Sequence, residues 1–229
     1  MHFNGKKKGI SKTTALPEVK IIDFKKLNID TIPLQNSYLQ ICQKIQKEKN
    51  TTDSLSIFLE EVLVNNIFPY WYGTPWEFNG HTDVPNKGKI ACGYFVSTTL
   101  KHLGFNLNRY KLAQQLPVHE AKTISLGEPI LEIDNDDFEV CLEKIKTSLT
   151  EGIYFVGLEA SHVGFLLKRK NYLFFIHSNY GTPAKVIIEN TAESPVFNGF
   201  RHFYISKIST NPTLLAYWKT GKRIPIITK

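Results

Sequence analysis

The apolar residues of this chain recur at helical spacing up to about residue 150 and then fall into short strand-length runs. That change of period restricts the fold more than any other feature. Within Ser37–Lys49, YLQICQKIQKEK places Leu39, Cys42 and Ile45 on one helical face. Thr52 or Asp53 is suited to cap a second helix, SLSIFLEEVLVNNI. In ACGYFVSTTLKHLGF, residues Cys92, Phe95, Val96, Thr99, Leu100 and Leu103 keep helical spacing, and Gly104 sits where such a helix stops. RYKLAQQL reads as a short helix. DNDDFEVCLEKIKTSL reads as a longer one, with acids at its start and lysines later, as the helix dipole favours. IYFVGLE, HVGFLLK, YLFFIHS, AKVIIEN and HFYISKI then read as successive strands, with PTLLAYW as a late helix. Helices first and strands after predict an α+β fold, N-terminal helices packed on a C-terminal antiparallel sheet. Residues 1–35 are polar and carry Pro17 and Pro33, so they read as an arm or wrapping segment. Residues 36–229 are long enough for one domain with its own core.

The net charge of +7 is spread along the chain, with short basic runs only at Lys6-Lys7-Lys8 and Lys168-Arg169-Lys170. No recognised nucleic-acid motif accompanies them, so a nucleic-acid partner is not expected. No apolar run reaches the roughly 20 residues of a membrane helix, and no signal-peptide core follows the basic N-terminus. The three cysteines, 42, 92 and 141, form no C-x-x-C pair, so neither a structural zinc nor a redox motif is indicated. No metal or other cofactor is expected, and the chain reads as a monomer.

Cys92 differs from the other two cysteines in position. It falls in the first turn of its helix, where unpaired backbone N–H groups favour a thiolate and can face a developing oxyanion. Cys42 and Cys141 fall inside helices and read as small buried hydrophobes. A thiol nucleophile needs a base, and His162 opens the apolar strand HVGFLL. His177 lies near the end of the next strand, so a hairpin would bring both histidines to one sheet edge. His177 could then orient His162 from behind, and Asn179 is an alternative for the same role. The segment upstream of Cys92, FPYWYGTPWEFNGHTDVPNKGKI, reads as a long loop of the kind that serves a site. Its aromatics Trp71, Tyr72, Trp76 and Phe78 are candidates for the wall of a substrate groove, with core packing as the other reading.

The motifs YWYGT at 70–74, CGYFV at 92–96, HVGF at 162–165 and FIHS at 175–178 resemble those of NlpC-type cell-wall cysteine peptidases. The resemblance spans residues 68–180. It implies a papain-like fold and cleavage of peptide bonds in bacterial wall peptides. Residue by residue, it matches Cys92 to the nucleophile, His162 to the base, His177 to the third polar residue and Tyr70 to an oxyanion-binding tyrosine. The chain departs from the family pattern at Ala91, where an aspartate is usual, at Thr74, and at Gly93-Tyr94. The loop between Tyr70 and Cys92 is also longer.

The leading expectation is therefore a cysteine peptidase or amidase acting on peptide or peptidoglycan, working in the cell envelope or outside the cell, with a cytoplasmic placement the alternative. A toxin delivered into another cell's envelope is a variant of it. A papain-like acyltransferase or lipid-amide hydrolase would use the same dyad, because an acyl-enzyme can pass to an amine or alcohol as well as to water. A non-catalytic binding module is a third reading, and retention of both Cys92 and His162 argues against it.

Overall fold

The computed structural model describes residues 35–228. The arm expected over 1–35 lies outside them except for Gln35, which opens the first helix. The chain runs α1 (Gln35–Glu48), α2 (Leu55–Val62), a π-helical turn (Leu63–Ile67), α3 (Phe68–Trp71), α4 (Cys92–His102), α5 (Arg109–Ala113) and α6 (Pro117–Ser125). It continues β1 (Leu131–Asp134), α7 (Phe138–Ser148), β2 (Gly152–Leu158), β3 (His162–Arg169), β4 (Tyr172–Ser178), β5 (Val186–Asn190), α8 (Pro195–Asn198), β6 (His202–Lys207) and α9 (Pro212–Thr220). The α+β expectation holds: the strands form one antiparallel six-stranded sheet in the order β1-β6-β2-β3-β4-β5.

The sheet is buried on both faces, and the strand sequences say why. On β3, Val163, Phe165 and Leu167 point one way and Leu166 the other. The first set joins a core with Phe68, Trp71, Phe95, Val96 and Leu100, so α4 packs on this face. Leu166 joins Phe175, Phe197, Phe203 and the α7 residues Phe138, Cys141 and Leu142 on the opposite face. With apolar residues needed on both faces, β2 and β3 become nearly continuous hydrophobic runs. Cys42 and Cys141 are core residues, as their mid-helix positions imply.

The long connection into α4 differs from the expected loop at its start, because residues 68–71 form a helical turn. Its remainder is laid along the sheet edge. Gly73 and Trp76 donate backbone hydrogen bonds to Val186 and Ala184, and Val186 N–H returns one to Thr74. The connection thus pairs with backbone groups that the edge strand β5 would otherwise leave open. Three elements carry no signal in the sequence analysis: the strand β1, the helix α6, which begins on Pro117 directly after the short α5, and the short helix α8.

Candidate active site

Cys92 is the first residue of α4, with Ala91 as the extended N-cap. It lines a cavity of about 750 Å³ together with Trp76, Phe78, Tyr94, Glu120, His162 and Tyr180. Two anchors fix the approach to the cysteine. Ala91 N–H donates to Gly80 O at 2.8 Å. Ser178 Oγ, beside His177, donates to Ile90 O at 2.7 Å. The strand that carries the histidine is therefore tied to the residue two before the nucleophile. Gly93 allows α4 to start close to α5, since a Cβ there would lie 2.6 Å from Ala113 O.

A helix start by itself would lower the Cys92 thiol pKa. The structure reverses that balance. Burial is the larger cause and the Glu120 carboxyl the second, and together they push the thiol up to about 11. The backbone N–H groups of Val163, Gly93 and Cys92 pull in the other direction without prevailing. Ionisation does not separate Cys92 from Cys42, whose thiol burial also raises to about 11. Access does: Cys42 and Cys141 are buried, whereas Cys92 is only partly covered and opens on the cavity. The Val163 contact makes the Cys92 sulfur a neighbour of the residue next to His162.

The histidines stand where the register puts them. Phe165 pairs with Ile176, so position 164 lies across from His177, and His162, Gly164, Phe175 and His177 share one face. His162 Nε2 and His177 Nδ1 are 2.8 Å apart. A Cβ on Gly164 would lie 2.6 Å from the Phe175 ring, 2.8 Å from Ile176 O and 3.0 Å from His177 Cβ. Glycine at 164 is what lets the Phe175 ring lie over His177 at a centroid distance of 3.9 Å while the two imidazoles meet.

The chain of contacts continues past the expected third member. His177 Nε2 lies 3.0 Å from Glu189 Oε1. Ser194 Oγ donates to the same carboxylate oxygen and accepts from Phe197 N–H at 2.9 Å as the N-cap of α8. These partners assign the proton positions. An ionised carboxylate only accepts, so His177 carries its proton on Nε2. His177 Nδ1 is then an acceptor, and His162 donates from Nε2, leaving its Nδ1 as the basic nitrogen. Both rings are held toward the neutral form. For His162 burial is the main cause and His177 the second. For His177 burial outweighs the opposing pull of Glu189. The Glu189 carboxyl is held below its usual range by the hydrogen bonds from His177 and Ser194, against its own burial. The sequence reading missed Glu189. Its one signal is a single acid within the apolar run KVIIEN, and strand alternation alone would assign it to solvent.

The structure places Cys92, His162, Trp76 and Phe78 on the wall of one cavity, with His177 against His162 but outside that lining, and shows no hydrogen bond between Cys92 and His162 among the described residues. It does not bring Trp71, Tyr72 or Tyr70 to the cavity wall. Trp71 is fully buried, donates its indole N–H to Tyr38 Oη at 2.9 Å and packs on Phe95, which is the core alternative. Tyr72 packs partly buried against the same core. Tyr70 stacks at a tilt on Tyr38, with ring centroids 5.1 Å apart, and is not among the residues lining the cavity. Asn179 does not reach His162. Its side chain closes the following turn, accepting from Gly181 N–H at 2.7 Å and donating to Pro183 O at 3.1 Å.

Among the described residues no group of three or more His, Cys, Asp and Glu side chains is placed to hold a metal ion, and no helix is long and apolar enough to cross a membrane. No family model matches the chain, and no curated protein matches it significantly.

Proposed function

We propose that this chain is a papain-like cysteine hydrolase of amide bonds, with Cys92 as nucleophile and His162 as general base. The observation that carries the reading is the Glu189–His177–His162 series, whose last ring lines the cavity that Cys92 opens into. In the resting site thiol and imidazole are both neutral. The Cys92 proton passes to His162 Nδ1 as sulfur attacks the substrate carbonyl carbon. The positive charge gained by His162 is stabilised through His177 by the Glu189 carboxylate, as the orienting acid does in other triads. The first-turn N–H groups of α4 have no upstream carbonyl within the helix and are suited to receive the oxyanion. His162 then returns its proton to the leaving amine, which departs, and water hydrolyses the Cys92 thioester with His162 again as base.

The motifs around Cys92, His162 and His177 make bacterial wall peptides the first substrate class to test, as for NlpC-type peptidases. Incubation with purified peptidoglycan and mass spectrometry of the released fragments tests it. The expected result is new stem-peptide ends that are absent with Cys92→Ala. Intact peptidoglycan after prolonged incubation contradicts this substrate class. A second reading, acyl transfer or hydrolysis of a lipid amide, is favoured by the apolar mouth of the cavity, where Phe78 is 78% exposed beside Trp76 and Tyr180. Release of fatty acid from an N-acyl amine under the same conditions would select it.

A further inference from the structure

Among the described residues, Glu120 is the one carboxylate that lines the Cys92 cavity, and the proposed chemistry does not use it. It lies on α6, in the wall of the Cys92 cavity, and is only 2% exposed. Its Oε2 is buried without a hydrogen-bond partner among the described residues. The helix that carries it is fixed. Glu120 N–H donates to Leu116 O at 3.0 Å, and Ala121 O accepts from Ser206 Oγ on β6 at 2.8 Å. An unpartnered buried polar group costs stability, and one in the wall of a cavity is suited to a partner supplied by a bound ligand.

We propose that Glu120 is a substrate-binding residue that pairs, as the neutral acid, with an amide group next to the bond attacked by Cys92. The surroundings favour the neutral acid: burial holds the carboxyl well above the usual carboxylate range, no Lys or Arg among the described residues lines the cavity, and an ionised Glu120 would oppose the Cys92 thiolate. A neutral carboxyl has one O–H donor and one carbonyl acceptor side by side. A primary or secondary amide offers the complement, a carbonyl acceptor and an N–H donor. A carboxylate, phosphate or plain hydrocarbon at the same place would leave at least one of the two Glu120 groups unpaired. Of the groups that can meet both, a hydroxyl and an amide, the amide is the one a substrate of an amide hydrolase carries next to its reacting carbonyl, so the ligand class is an amide-bearing chain. This inference rests on Cys92 being the reactive thiol and adds the group that selects what reaches it.

The test compares two thiol reagents on Cys92, with the modified residue identified by peptide mapping. Iodoacetamide carries an amide and methyl methanethiosulfonate does not. Glu120→Gln keeps one donor and one acceptor and should leave the ratio of the two rates within about twofold of wild type. Glu120→Met and Glu120→Leu keep the bulk and remove both hydrogen bonds. Each should lower the ratio of the iodoacetamide rate to the methanethiosulfonate rate at least about fivefold, the worth of one ordinary hydrogen bond, and the ratio cancels any change in thiol ionisation that both reagents share. Two apolar variants guard against one folding poorly. An unchanged ratio in both, or an equal fall of both rates, overturns the assignment while leaving Cys92 as the reactive thiol. A ratio that falls in Glu120→Gln as far as in Glu120→Met overturns it too, because a donor and an acceptor at this place would then not suffice. If Cys92 is not the thiol modified in the wild type, the hydrolase reading itself falls, and this one with it.

Discussion

His162 Nε2 and His177 Nδ1 meet at 2.8 Å across neighbouring strands, and the Glu189 carboxylate behind His177 fixes which of the two donates. The base is thus oriented by a histidine that is itself oriented by an acid. His177→Ala removes the orientation and keeps the base. It should lower kcat by about tenfold to a hundredfold, whereas His162→Ala should remove the general-base contribution of about 10²–10⁴ altogether. Steady-state kinetics of both variants checks the order. Equal losses would mean that His177 does more than orient.

Glu189→Leu should leave the His177 Nε2–H buried and unpaired and release the Ser194 hydroxyl. The expected cost is about 1–3 kcal/mol of stability, with a further loss of kcat as the His177 tautomer is no longer held. Glu189→Gln retains an acceptor for His177 and should be milder in both. Urea unfolding alongside kinetics separates the two effects. Wild-type kcat in a destabilised Glu189→Leu would make the acid purely structural.

Gly164→Ala tests the packing that brings the imidazoles together. The added methyl would meet the Phe175 ring and Ile176 O at under 3 Å. Overpacking of this kind costs about 1–3 kcal/mol, and relief through Phe175 would move the His177 ring stacked on it. Reduced thermal stability and reduced kcat should therefore appear together. A stable variant with wild-type kcat would show that the site does not depend on this contact.

The placement of Cys92 at a helix start and of His162 and His177 on neighbouring strands was legible in the sequence because each depends on local pattern: a cysteine at the start of a helical period, a histidine at each of two strand edges. Glu189 was not, because its partner is set by the register of β4 on β5, where it stands opposite Phe175 and diagonal to His177. Trp71 and Trp76 look alike in the sequence, and only the helical turn of residues 68–71 turns the first inward and leaves the second in the loop. Glu120 escaped because α6 follows α5 so closely that its start, at Pro117, reads as loop.

Stability should respond to acid through the buried histidines. His102 is held down to about 4, mainly by burial, and His162 and His177 are lowered as well. Below the ordinary value of 6.5 the unfolded chain takes protons that the folded chain refuses, so stability falls as pH drops from there toward 4. Glu120 works in the opposite sense. Its raised carboxyl leaves the folded chain holding a proton that the unfolded chain gives up above the ordinary value of 4.5, so its contribution is lost as pH rises from there. Glu120→Gln should match wild type in stability near pH 4 and exceed it increasingly toward pH 8. Parallel unfolding curves across that range would show that Glu120 does not titrate with folding.

If Cys92 forms an acyl-enzyme with the help of His162, p-nitrophenyl acetate should acylate it in a reaction that can be quenched in acid and located by peptide mapping. The expected product is a thioester on Cys92, formed at least about a hundredfold more slowly in His162→Ala. Acyl groups on Cys42 or Cys141 instead, or an unchanged rate in His162→Ala, would contradict it.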